Sequence, residues 1–97
     1  MVITALDHVP HCYSAEDGEK LASVLRRQLA CSQQVILSLA GVADVPSSFV
    51  NAAFVGLLDE FPYPVIRSKL KVIDSNPQIN GMIRRCFDNA LKIVEAA

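Results

Sequence analysis

"QQVILSLAGVADVPSSFVNAAFVGLL", residues 33–58, carries the decision about fold. Its first nine residues, 33–41, are compact, apolar and β-branched at the start and end on Gly41, as expected of a central strand covered on both faces. Pro46 then closes the strand, because proline offers no N–H to a ladder and fits a helix only around its first turn. The spacing predicts a helix directly after it, with Ser47 or Ser48 as N-cap. In that helix Val50, Ala53, Phe54, Leu57, Leu58 and Phe61 form one stripe, and Phe49, Ala52 and Val55 add a second flank. Asn51 is the lone polar side chain until Asp59. Two readings stay open for the second flank: core beneath another layer, or an apolar patch that meets a partner.

The same alternation extends outward. "MVITALDHV", 1–9, reads as an edge strand or hairpin arm broken by Pro10. "SAEDGEKLASVLRRQLA", 14–30, opens with Ser14 three residues before Asp17, a capping-box pattern, and repeats Leu21, Val24, Leu25 and Leu29 at helical spacing. Gly18 slightly weakens its first turn. "FPYP", 61–64, stops the central helix, "VIRS", 65–68, follows as loop or ragged strand, and "KLKVID", 69–74, is a further strand. The last segment starts on Ser75 or Asn76 as cap, with Pro77 at the first helical position and Gln78 closing a box on Ser75. Ile79, Met82, Ile83, Cys86, Ala90, Ile93 and Val94 line its dry side. Arg84, Arg85, Asp88, Lys92 and Glu95 line the wet one. Strands alternating with helices describe a single α/β domain over 1–97, its parallel neighbours joined by right-handed crossovers.

Composition narrows the function classes. Of 97 residues 52% are hydrophobic and 20% charged, with nine basic against ten acidic side chains. A net charge of −1 supplies no field to gather nucleic acid or an anionic membrane, and Arg26-Arg27 and Arg84-Arg85 read as solvated faces. No apolar run nears the roughly twenty residues of a span, and the N-terminus lacks a signal-peptide layout. Cys12, Cys31 and Cys86 form no disulfide framework, so the expectation is a protein of the reducing cytoplasm.

The chemistry-bearing clusters are sparse. Neither serine sits in GxSxG, and His8 and His11 are the only bases, with nothing local to orient them. "HVPHCY", 8–13, groups His8, His11 and Cys12 but lacks a fourth ligand, so no metal is expected. Glycines 18, 41, 56 and 81 build no phosphate loop, so no nucleotide cofactor is expected either. The chain reads as a non-enzyme. Its distinguishing feature is the hydroxyl pair at a helix start, where unpaired N–H groups and partial positive charge suit either a cap or a phosphoryl group.

"VILSLAGVADVPSSFVNAAFVGLL" followed by "KLKVIDSNPQINGMIRRCFDNAL" resembles the STAS superfamily, most closely its small STAS-like domains of unassigned function. The shared pattern is an apolar strand, a short loop with a serine pair, a helix, another strand and a P-x-(I/V) start to the last helix, here Pro77-Gln78-Ile79. The resemblance implies a mostly parallel or mixed four-stranded sheet with about three amphipathic helices. It also implies a bacterial regulator of anti-anti-sigma type. In those factors the loop reads Asp-Ser-Ser-Gly and an ATPase-type kinase phosphorylates the second serine. That serine falls on Ser48 and its neighbour on Ser47, with Pro46 in place of the acid and Phe49 in place of the glycine. The implied partner is a protein, either a histidine-kinase-like serine kinase or an anti-sigma-like regulator; joined with the apolar flank read above, the expected contact set is Pro46, Ser47, Ser48, Phe49, Ala52 and Val55. A sensor of small anions at the same helix end, and a self-associating subunit such as a homodimer, are the alternatives.

Overall fold

The computed structural model describes residues 2–31 and 34–96, with no side-chain environment given for 92–96. Met1, Gln33 and the expected side-chain roles of Lys92, Ile93, Val94 and Glu95 therefore lie outside the described residues. The order is β1 (Val2–Thr4), α1 (Ala5–His8), α2 (Ala15–Cys31), β2 (Val35–Ser38), α3 (Ser47–Ala53), a 3₁₀ segment (Val55–Asp59), α4 (Tyr63–Lys69), β3 (Leu70–Ile73) and α5 (Pro77–Ala96). The α/β alternation holds. Among the described residues the sheet has three strands rather than the expected four, all parallel, in the order β1-β2-β3.

Local chemistry accounts for the differences. Pro62 is held extended at φ −61° and ψ 149° as N-cap, and Pro64 falls in the first turn, where proline costs no hydrogen bond. The stretch 65–68 therefore becomes helical and ends in a turn bearing Arg67 and Lys69. The apolar segment after Pro46 does not run as one helix either. It leaves α-geometry at Phe54 (φ −111°, ψ −51°) and tightens into the 3₁₀ segment. With these short pieces counted, the described residues hold five α-helices where about three were expected.

Strand order fixes which face is covered. Two successive crossovers that step the same way with the same right hand place their helices on one side of the sheet. Ile3 pairs with Leu37, and Leu37 with Val72, on the covered side, where Ile3 is 5% and Leu37 0% exposed. Val2, Ile36 and Lys71 line up on the other side, where Val2 is 61% exposed. On the central strand that side is only partly open, with Ile36 half-buried and Ser38 5% exposed, so β2 is fully sealed on its Leu37 face and partly covered on the other, where its composition suggested two sealed faces.

The helical layer rests on caps and on one close crossing. The Ser14 hydroxyl accepts the Asp17 N–H at 3.1 Å, starting α2, whose Leu21, Leu25 and Leu29 are fully buried. At α5, Asn76 is the cap, its Oδ1 accepting the Ile79 N–H at 3.0 Å, while the Ser75 hydroxyl donates to Asn80 instead of boxing with Gln78. Between these two helices lies α3, with Phe49, Val50 and Ala53 at 0% exposure. At the carboxyl end of β2, Ser38 donates to the Asp74 carboxylate at 2.6 Å and accepts the Ala40 N–H at 3.3 Å. That pair joins the ends of two neighbouring strands, and Asp74 adopts a left-handed φ of +56° beside it.

The cysteines divide sharply. Burial and then the Asp17 carboxylate push the Cys12 thiol up to about 11, burial also raises that of Cys86, and Cys31 is exposed. A protonated, buried thiol is a poor nucleophile and a poor metal ligand. Ellman's reagent at pH 8 is expected to titrate Cys31 rapidly in the native protein and all three cysteines after denaturation. Rapid native reaction of Cys12 would contradict its burial.

Candidate functional site

The loop between β2 and α3 is anchored from across the molecule. Gln78, on the first turn of α5, accepts the Val45 N–H and donates to the Val45 carbonyl, both at 3.2 Å, and the Asn76 amide donates to the Ala43 carbonyl at 2.8 Å. These bonds satisfy loop groups that no strand partner reaches. The glutamine expected to close a capping box therefore fixes the point from which α3 departs.

Pro46 is the N-cap of α3, at φ −82° and ψ 163°, and no side chain caps the helix. Ser47 and Ser48 are its first two residues, one step further in than the cap position assigned from sequence. The reason is Pro46 itself, whose ring presets the extended backbone that a cap requires. Both serines are exposed, and neither hydroxyl is consumed in closing the first turn.

The helical period sorts the remaining candidates. Ser47 and Asn51 stand at i and i+4 on one face of α3, and Val55, the first residue of the 3₁₀ segment, joins them on the same groove wall. Opposite them α5 presents Met82, Arg85, Cys86, Asn89 and Ala90, and the space between is a groove of about 500 Å³. Phe49 points away from it and is fully buried, so this member of the expected docking set is core. Ala52 is half-buried against α2, close to Gly18. Pro46 is half-buried at the lip, and Ser48 lies exposed beside the groove. Of the expected set, Ser47 and Val55 line the groove directly.

Three residues of this surface, Asn51, Arg85 and Asn89, were not singled out as binding residues from sequence. Asn51 carried a usable signal, because a lone polar residue in an apolar helix marks the side that stays wet. Arg85 and its neighbour Arg84 were read together as a solvated pair, yet they diverge. Arg85 lines the Ser47 groove, and Arg84 lines a second groove between α4, β3 and α5. The Ser47 groove carries one cation, two amides and an apolar floor, with no carboxylate among its lining residues. His11, one of two candidate bases, stacks instead on Tyr13 with ring centroids 6.0 Å apart.

A model of the family described as a STAS-like domain of unknown function matches residues 17–80. The match takes in α2 from Asp17 on, β2, the serine pair, α3, β3 and the Asn76–Gln78 anchor, and stops before Arg85 and Asn89. No curated protein and no solved structure gives a match.

Proposed function

This chain belongs to the STAS-like domain family, and on that premise we propose that it is a non-enzymatic regulatory module that docks a protein partner on the α3–α5 groove and is switched by phosphorylation of Ser48. The observation that carries the reading is the state of the two hydroxyls. They are exposed at the start of α3, free of capping duty, beside a groove large enough to take a partner's side chain. Phosphorylation would add about two negative charges and three acceptors at that point. A partner whose apolar group rests on Val55, Met82 and Ala90 would then have to desolvate a dianion, which is costly without a matching cation. Arg85 offers the alternative of drawing the phosphoryl group across the groove mouth, which also closes the surface. Ser47 is the second acceptor, and an ATPase-type serine kinase or an anti-sigma-like regulator is the partner class. A small-anion sensor is less well supported, since α3 spans only seven residues and offers a weak dipole.

Two measurements test this. Mass spectrometry of the protein from its own cells should find the phosphoryl group on Ser48. As immobilised baits, wild type and Ser48→Ala should recover the same protein from a source lysate, while Ser48→Asp and Asn51→Arg should lose it. Equal recovery by all four baits removes the proposal.

A further inference from the structure

The second groove, about 530 Å³, lies between α4, β3 and α5. Its walls are apolar: Leu70 and Val72 from β3, Ile83 from α5, and Tyr63 packed on Phe87 with ring centroids 5.2 Å apart. Arg67 and Arg84 stand exposed on its rim with a single carboxylate, Asp88. The ion pairs among the described residues are Glu16–Lys20 and Arg26–Glu60, so neither rim arginine is held by an acid.

Beside this groove β3 has an open edge. The Ile73 carbonyl accepts the Leu39 N–H, which turns Ile73 and, by alternation, Lys71 toward β2. Leu70 and Val72 must then direct their backbone groups outward. The Leu70 N–H is taken by the Ile66 carbonyl at the end of α4, whereas Val72 has no backbone partner on that side among the described residues.

We infer that β3 is a strand-addition site for an extended, acidic segment of a partner protein, whose alternate apolar side chains enter the groove while the intervening carboxylates face Lys71 and the segment's net negative charge is drawn by Arg67 and Arg84 on the rim. Main-chain bonds supply the attachment, and side chains on alternate positions supply the selectivity. Charge decides the occupant. A second copy of this chain would bring another Arg67 and Lys71 against the same edge, and cations on an edge strand are the usual guard against self-pairing. An acidic segment turns that guard into an attraction, with Lys71 placed for a cross-strand pair.

The probe is an acetylated, amidated Glu-Val-Glu-Leu-Glu-Val-Glu peptide titrated into isotope-labelled protein and followed by NMR. Saturable shifts are expected at Leu70, Val72, Ile83 and Arg84, weakening with added salt and by about tenfold in Arg84→Glu. Methylating the peptide nitrogens at one alternate set of residues should abolish binding, while the other set should leave it intact. That contrast needs no protein variant. The same peptide with Lys for Glu should not bind. Equal effects of both methylation sets, shifts confined to the Ser47 groove, absence of saturation, or peptide-free broadening of the β3 amides with rising protein concentration would each overturn the inference.

Discussion

Replacing Phe49 by alanine is expected to lower stability by about 3–5 kcal/mol, the usual cost of truncating a fully buried aromatic side chain. Phe49 has no exposed surface and shares the core with Leu21, Leu25, Val50 and Phe54. A domain of 97 residues holds only about 5–15 kcal/mol in total, so the loss is a large share of it. Thermal or urea unfolding reads the result, at roughly 4–8 °C of melting temperature per kcal/mol for a domain of this size. Phe49→Leu, which leaves a smaller cavity, should cost less and keep the variant measurable if the alanine form does not fold. The sequence left this residue open between core and interface. On a partner-facing surface its truncation would change stability by no more than about 0.5 kcal/mol. A near-neutral result would therefore return Phe49 to the docking surface and dismantle the arrangement of α3 described above.

The reason for that ambiguity is physical. An apolar residue at a helical position states that it avoids water, but not which neighbour covers it. Strand β2, the break at Pro46, the Ser14–Asp17 start of α2 and the Pro77 start of α5 were legible because each rests on local backbone chemistry, readable within a few residues. The difference in cover between the two sheet faces was not, because composition is the same for a strand sealed fully on both sides and one sealed fully on one. Strand order decides that, and strand order is a long-range property. The helix over 63–69 was hidden by its two prolines, which read as breakers until the second falls within a first turn. At the candidate site, the helix start was placed at residues 46–48, with the cap one position earlier than expected, on Pro46. Gln78 shows the limit most plainly. Its side chain had a satisfactory local partner in Ser75, and the bonds it makes instead reach Val45, 33 residues away in the chain.

Gly18→Ala should destabilise the protein by about 2 kcal/mol, although alanine is the better helix former by close to 1 kcal/mol. The opposing effect is steric. A Cβ on Gly18 would lie 2.6 Å from the Phe49 carbonyl oxygen, 2.7 Å from the Ala52 Cβ and 3.0 Å from the Ala53 nitrogen. Two of those atoms are backbone, so no rotamer change relieves the clash. The helices must separate, and the packing of Phe49 and Ala53 loosens with them. Gly81→Ala is the matched control, since nothing lies within 4 Å of a Cβ there and the residue is exposed on α5. The same substitution should stabilise at that position by up to about 1 kcal/mol. Opposite signs at the two glycines, read by chemical denaturation, would isolate the α2–α3 crossing from helix propensity. Equal signs would mean that the crossing is not tight. The consequence reaches the serine pair, because α3 is held on one side by this crossing and at its start by Gln78. Pushing α2 outward moves the α3 face that carries Ser47 and Asn51, and Val55 just beyond it, relative to α5, while the loop before it stays tethered. If the proposed docking at the groove holds, a Gly18→Ala chain that still folds should therefore bind that proposed partner more weakly even though residue 18 lies on a different helix from the groove.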